Sequence, residues 1–561
     1  MRVVSIVVAF MCAAADADVA DLIFHGGDIV TVDDDRPSAE AVAVKDGRVV
    51  AVGDMADVTK WKGSQTRLVD LQGRALLPGF IDAHGHLTMT ARQLGAANVA
   101  SPPVGPARDI DELKAVLTSY MDSNPPKPGD WVVGVGYDDS LLTERRHPTR
   151  FDLDMVSTEH PIFLLHVSAH LGTCNSLALE RFGVTDQTEN PPGGVIRRVD
   201  GSNEPNGVLE EHALARLAYP KLPQASLQQR LALLQRAQEL YFSFGTTTVQ
   251  DGATRPADLD LLLAAAQAGK LKLDVIAYPL WTSAERMLGH QPPGHYVSHL
   301  KIGGVKMVLD GSPQGKTAWL TEPFYVPPDG QPAGYRGYPA MSDREAEQFA
   351  SRFFEKGWQL LAHANGDAAG DQLIRAVEHA LAEHPNQDHR TVMIHAQMVR
   401  DDQLERMRQL GITPSFFSAH TFYWGDWHRD SVMGTRRAYR MSPAKSAINR
   451  QMRFTIHNDA PIVPPDMLRL IWAAVNRRSR SGDIIGPLQR IDVIDAIKAV
   501  TIHAAYQYFE EDTKGSIEVG KLADLVVLSE NPLDVDPMAI KDIQVEQTYA
   551  RGAVVYSIKE R

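Results

Sequence analysis

The chain has 561 residues, 44% of them hydrophobic and 23% charged, and a net charge of −13 from 57 Lys+Arg against 70 Asp+Glu. This is globular composition, which excludes disordered, collagen-like and coiled-coil proteins, and an acidic surface repels phosphate backbones, so nucleic acid is not an expected partner. Two cysteines exclude a disulfide scaffold and a cysteine-based metal cluster, whereas 20 histidines point to imidazole and carboxylate chemistry.

Residues 1–20 read as a signal peptide. A short positive start, Met1-Arg2, precedes an apolar run from Val3 to Ala15, and Ala13 to Ala17 offers small residues at A-x-A spacing. The run is too short to span a bilayer, and Cys12 follows Met11, a poor context for lipid attachment. The expected mature protein starts near Asp18 or Asp21, is periplasmic or secreted, and has no membrane anchor. No later apolar run is long enough to cross a bilayer.

Residues 21–75 read as strands. Ala41 to Lys45 and Arg48 to Val52 flank Asp46-Gly47, a two-residue hairpin signal. Residues 509–561 have the same character, with an apolar strand at Ala523 to Leu528 and a pair from Val545 to Val555 turning at Arg551-Gly552. The two ends are expected to form one small β-sandwich domain. Between them, short apolar runs alternate with helical patterns. Eight candidate strands end near Ile81, Thr248, Ile276, Val308, Leu361, Met393, Ile412 and Thr455, which fits a (β/α)8 TIM barrel. The first barrel strand is assigned to 76–95 and the others to 227–508. Residues 96–226 exceed one βα unit and are read as an inserted α/β domain.

The chemistry lies at the ends of these strands. Leu76 to His86 is an apolar run ending in His84-Gly85-His86, and residues two apart on a strand share a face, so both imidazoles can grip one metal ion. A bare H-x-H is common by chance, and its position after a strand gives it weight. His363, His395 and Asp459 each follow an apolar run in the same way. Alone, each has a bland role as a core histidine or a helix-capping aspartate. Together they make four histidines and one carboxylate at the barrel face where active sites lie, a set suited to zinc or a similar divalent ion. Lys306 sits inside the apolar strand Val305 to Leu309. A buried ammonium tends to lose its proton, and a neutral amine could add CO2 to become a carbamate; an ion pair with Asp310 or snorkelling are the alternatives.

These residues carry a resemblance. Leu76 to Leu87, His363-Ala364-Asn365-Gly366-Asp367 and Gly515 to Leu528 resemble the amidohydrolase superfamily. Over about Ala20 to Tyr556 the chain is more closely similar to amidohydrolase family 3, the YtcJ-like branch that includes N-substituted formamide deformylase. The resemblance implies a metal-dependent barrel hydrolase carrying one or two ions, zinc being the expected metal. It makes His84 and His86 ligands of a first metal and His363 and His395 ligands of a second. Asp459 becomes the last-strand aspartate that binds metal and moves protons, and Lys306 a carboxylated bridge. It also suggests that His170 of the inserted domain reaches the pocket. Asn365, His457-Asn458 and the stretch Ser415 to His420 depart from the family pattern and are read as changes in the substrate pocket.

Substrate contacts are assigned to His170, Asp310, His420 and Trp424. The last two lie in an aromatic cluster that could equally pack beneath a loop. Arg477 to Arg480 could bind an acidic group, although a solvated turn is the better reading. The expected reaction is hydrolysis of a small linear amide of the N-acyl or N-formyl amine type. The alternatives are a mononuclear deaminase or cyclic-amide hydrolase using His84, His86, His363 and Asp459 with Lys306 merely structural, and a catalytically silent binding or regulatory protein on the same scaffold. Homo-oligomerisation is left open.

Overall fold

The computed structural model describes residues 19–223, 225–288, 294–328, 330–385 and 388–558. The signal-peptide segment, up to residue 18, lies outside them. No helix among the described residues is long and apolar enough to cross a membrane.

Both chain ends enter one eight-stranded sheet. Leu22–Val30 lies at its centre, antiparallel to Ser38–Lys45 on one side. On its other side it is parallel to Arg67–Asp70 through its first half and to Ala75–Pro78 through its second. Arg48–Gly53 completes one edge, and Leu525–Leu528, Val545–Ala550 and Ala553–Ser557 build the other. The expected turns Asp46-Gly47 and Arg551-Gly552 have φ of 49° and 74°, and 48° and 74°. Positive φ at both central residues gives the twist that a two-residue hairpin needs. Phe24, Val42, Leu76 and Leu525 bury one face, while Ile23, Ala41 and Ala43 pack with Val58 on the other. The strands thus form one continuously bonded sheet rather than two separately bonded layers, because Leu22–Val30 exchanges partners along its length.

The entry to the barrel also differs from the expected boundary. Ala75–Pro78 belongs to the terminal sheet, with Leu77 opposite Val526, and the first barrel strand is only Phe80–Ile81. Gly79 is the switch between them. Its N–H donates to Asp524, and a Cβ there would stand 2.6 Å from both the Cγ2 and Oγ1 of Thr247. Only glycine lets the chain cross at that distance.

Parallel strands then follow at Thr246–Thr254, Asp274–Pro279, Gly304–Val308, Gln359–Ala364, Val392–His395, Thr413–Phe416 and Thr455–Ile456. A bridge between Leu280 and Lys306 joins the two halves, and the loops after the first and last strands bond through Asp459 N–H to His84 O and His86 N–H to Ala460 O. This is a TIM-barrel-like α/β arrangement. Strand alternation sorts its side chains. Val275, Val305, Met307, Leu360 and Met393 face the helices, while Ile81, Ile276, Tyr278, Leu361, Val392 and Ile394 fill the interior. Lys306 and His363 fall on the interior parity.

Between the first two barrel strands, a six-stranded sheet runs from Ala97–Asn98 to Pro205–Glu211 and carries helices such as Ile110–Ser123 and Ser176–Phe182. It stands at the strand C-terminal end, where Glu211 and His170 approach the barrel mouth.

Candidate metal centre

His84 and His86 leave the first strand toward the mouth. Gly252 makes room for them: a Cβ there would stand 2.7 Å from His84 Cε1, and its carbonyl accepts a hydrogen bond from His86 Nδ1 at 2.7 Å. A carbonyl can only accept, so His86 Nδ1 carries the proton and Nε2 keeps its lone pair. His84 is fixed in the same sense. The Gln250 amide nitrogen donates to Ala83 O and Tyr508 Oη, both at 3.1 Å, which turns its Oε1 toward His84 Nδ1 at 2.5 Å.

Both lone pairs face one carboxylate. His86 Nε2 lies 3.1 Å and His84 Nε2 3.4 Å from Asp459 Oδ1. Four donors about 2.0–2.1 Å from a tetrahedral zinc ion are roughly 3.3 Å apart, so the spacing fits a divalent metal. Opposite them, His395 Nε2 lies 3.1 Å from His363 Nδ1. His363 Nε2 meets the Gly311 carbonyl at 3.1 Å, His395 Nδ1 meets His457 Nε2 at 3.1 Å, and His457 Nδ1 meets Ser415 Oγ at 2.8 Å. With these outer nitrogens donating outward, the two inner lone pairs converge, and a cation satisfies them. The backbone bends to aim the groups: φ is 71° at His395 and 56° at Asp459. Left-handed conformations cost non-glycine residues about 1–3 kcal/mol and concentrate at functional sites.

Burial holds His84, His363, His395 and His457 well below the ordinary imidazole range, and the charges of their neighbours push the same way. Neutral rings are what metal ligation requires. Lys306 is 1% exposed, and its Nζ lies 3.2 Å from His84 Nε2. Burial pulls its amine down to about 7, against an opposing pull from Asp459. It does not pair with Asp310, whose two oxygens accept the backbone N–H groups of Asn365, Gly366 and Trp319 at 2.8–3.0 Å. Asp310 therefore braces the loops around His363, and its oxygens are already engaged.

His170 comes from the inserted domain. Its ring stands 6.1 Å from that of His363, and its Nδ1 bonds Glu211 at 2.9 Å. Burial lowers its pKa, but the Glu211 carboxylate outweighs this and the net shift is upward. His420 is buried among Phe417, Trp424 and His428, with its Nδ1 unpartnered. Trp424 donates from Nε1 to Asp138 at 2.7 Å. Asp138 and Asp139 form a second carboxylate–histidine cluster with His166. There Asp139 bonds His166 at 3.0 Å and Asp138 accepts from Ser140 at 2.6 Å, so hydrogen bonds already satisfy the group.

Sequence reasoning missed Gln250 and Gly252, and it read His457 only as a change in the substrate pocket rather than as a support for His395. His457 is two residues before Asp459, and the strand rule that coupled His84 to His86 would have placed both at the mouth. Gln250 and Gly252 lie within the second barrel strand, Thr246–Thr254, where a polar residue at interior parity was the available signal.

A family model described as "Amidohydrolase family" matches residues 67–556, and the chain belongs to that family. N-substituted formamide deformylase of Arthrobacter pascens is 28% identical over 96% of this chain and 98% of its own. The amidohydrolase named YtcJ in Bacillus subtilis (strain 168) is 27% identical over 95% and 99%. The crystal structure of an uncharacterized metal-dependent hydrolase from Pyrococcus horikoshii OT3 superposes with a TM-score of 0.73 at 24% identity, covering 92% of this chain and 99% of the other.

Proposed function

We propose that this protein is an exported, divalent-metal-dependent hydrolase that cleaves the C–N bond of a linear amide of the N-acyl or N-formyl amine type. Its scaffold would be a (β/α)8 barrel. One observation carries the reading: Asp459 Oδ1 stands within 3.4 Å of the lone-pair nitrogens of both His84 and His86, at the mouth of the parallel strands. The similarity to a formamide deformylase along the whole chain supports the amide class.

His84, His86 and Asp459 would hold one ion, and His363 and His395 a second. Lys306 would join them after its neutral amine attacks CO2, forming an N–C bond and releasing a proton. A bound divalent ion supplies an acidified water and polarises a carbonyl, and zinc suits this nitrogen and oxygen donor set. Asp459 takes a proton from the attacking water and returns it to the amide nitrogen as the C–N bond breaks. An amine anion is a very poor leaving group, so this return is required. His170, whose ring stands 6.1 Å from that of His363, would donate a hydrogen bond to the substrate carbonyl.

The mononuclear alternative has its own support: at the barrel mouth His84, His86 and Asp459 bring ligand atoms within 4.8 Å of one another, and among the described residues His363 and His395 do not complete a second such group there. Metal analysis separates the readings, as about two ions per chain with modified Lys306 or one ion with a free lysine. The test of function is turnover of N-formyl, N-acetyl and N-acyl-amino-acid amides by metal-loaded protein. Wild-type turnover should be abolished in Asp459→Asn. Absence of turnover across the panel would leave the catalytically silent reading.

A further inference from the structure

A cleft of about 350 Å3 lies between the inserted domain and the barrel. Val104, Val135 and Leu141 wall it on one side, and Leu94, Leu240 and Phe244 on the other. Two of its lining residues lie close along the chain to proposed metal ligands. Pro461, on its rim, is two residues beyond Asp459. Thr90 is one helical turn from His86, and its hydroxyl donates to the His86 carbonyl at 3.0 Å.

Arg480 lines this apolar cleft. Among the described residues its guanidinium makes neither a hydrogen bond nor an ion pair. Its Nε is fully buried and unpartnered, and its Cζ rests 5.6 Å from the centre of the Tyr423 ring. The two carboxylates whose charge it feels are hydrogen-bonded to other groups. Asp426 accepts from Ser479 at 2.8 Å and from Ser481 at 2.7 Å, and Asp138 accepts from Trp424 at 2.7 Å and Ser140 at 2.6 Å. Its neighbour Arg477, by contrast, is spent on the carbonyls of Ile485, Ser442 and Met441. Burial lowers the pKa of Arg480, yet a guanidinium keeps its charge. Asp138 and Asp426 attract this charge but neither forms an ion pair with it, and a part-buried guanidinium with no hydrogen-bond partner presents a planar fork that matches a carboxylate.

We propose that this cleft is a substrate subsite in which Arg480 binds the carboxylate of an apolar N-acyl-amino acid. The choice of anion follows from shape and charge: one planar fork takes one carboxylate, whereas a phosphate dianion would meet about twice the repulsion from Asp138 in the same wall. The inference deepens the amide-hydrolase reading and, as a statement about substrate, rests on it.

Two measurements on the metal-loaded full chain test it. The first compares kcat/KM for N-formyl-phenylalanine and its uncharged carboxamide. The expected acid-over-amide ratio is tenfold or more in the wild type, close to one in Arg480→Gln and intermediate in Arg480→Lys. The second is calorimetric binding of 3-phenylpropionate against 3-phenylpropanol, which needs no turnover. Arg480→Gln should weaken the acid at least tenfold and leave the alcohol within about twofold. Equal affinity of both proteins for the acid overturns the subsite, including the case in which the acid binds the metal instead. Turnover without acid preference overturns it while sparing the hydrolase. Loss of acid binding in Arg480→Gln without any turnover keeps the anion site and overturns the hydrolase.

Discussion

His395 Nε2 and His363 Nδ1 face each other at 3.1 Å, and each ring's outer nitrogen is engaged, by His457 and by the Gly311 carbonyl. Two neutral acceptors held this close are relieved by a cation between them. Replacing His395 with Ala should remove at least half the bound metal and nearly all turnover. Folding stability should fall too, because a ligand bound only by the folded state stabilises it. Metal content and activity near wild type in this variant would reject the pair as ligands.

The Gln250 side chain sets which nitrogen of His84 is free. Gln250→Leu removes the acceptor at Nδ1 and lets the ring turn or change tautomer. Metal affinity should fall about 10–100-fold, the usual effect of losing such a supporting contact. Gln250→Glu keeps an acceptor and should retain most of the affinity. Competition against a chromogenic chelator measures both, and an unchanged dissociation constant for the leucine variant would count against the tautomer argument.

Much of this was legible because barrel chemistry repeats a simple register. Interior positions alternate along a strand, and a polar residue at an apolar strand's end has one place to point. That logic reaches His363 and Lys306. It fails at His84 and His86, which lie beyond the short strand on the parity opposite to Ile81, and at His395, where left-handed backbone breaks the alternation; there the strand end alone marks the residue. It missed Gln250 because its role exists only through Ala83 and Tyr508, the latter 258 positions away. The sheet of the chain ends was legible in its hairpin turns but not in its layering, because Leu22–Val30 changes partners part-way along. Arg480 read as part of a solvated basic turn because nothing in Arg477 to Arg480 tells which guanidinium the fold satisfies.

His428 is fully buried with both ring nitrogens unpartnered, and burial lowers its pKa to about 3. Above about pH 6.5 the ring is neutral in both folded and unfolded chains. Below that, the unfolded chain takes up a proton that the folded one refuses, so stability is lost progressively as pH falls from 6.5 toward 3. Between pH 7.5 and 5 this ring should cost about 2 kcal/mol. His428→Leu should show a correspondingly shallower acid decline in urea-unfolding free energy. Equal slopes in wild type and variant would mean that His428 is protonated or solvated in the folded protein.

Lys306 gives the sharpest chemical test. Its strand is apolar on both flanks, its Nζ stands 3.2 Å from His84 Nε2, and Asp310 is taken by three backbone N–H groups. A carbamate there would present two oxygens to ions on either side, whereas an ammonium would place positive charge against a metal ligand. Lys306→Ala should therefore hold fewer ions and be nearly inactive, with partial rescue by a short-chain carboxylic acid filling the vacated space. Lys306→Arg should not rescue, because guanidinium stays protonated and cannot add CO2. Mass spectrometry under native conditions should find the wild-type chain heavier by one CO2, and the arginine variant should lack that increment. An active Lys306→Arg protein with full metal content would take the lysine out of the centre. It would leave a single ion held by His84, His86 and Asp459 with His363 beside them, and would favour the deaminase or cyclic-amide hydrolase reading.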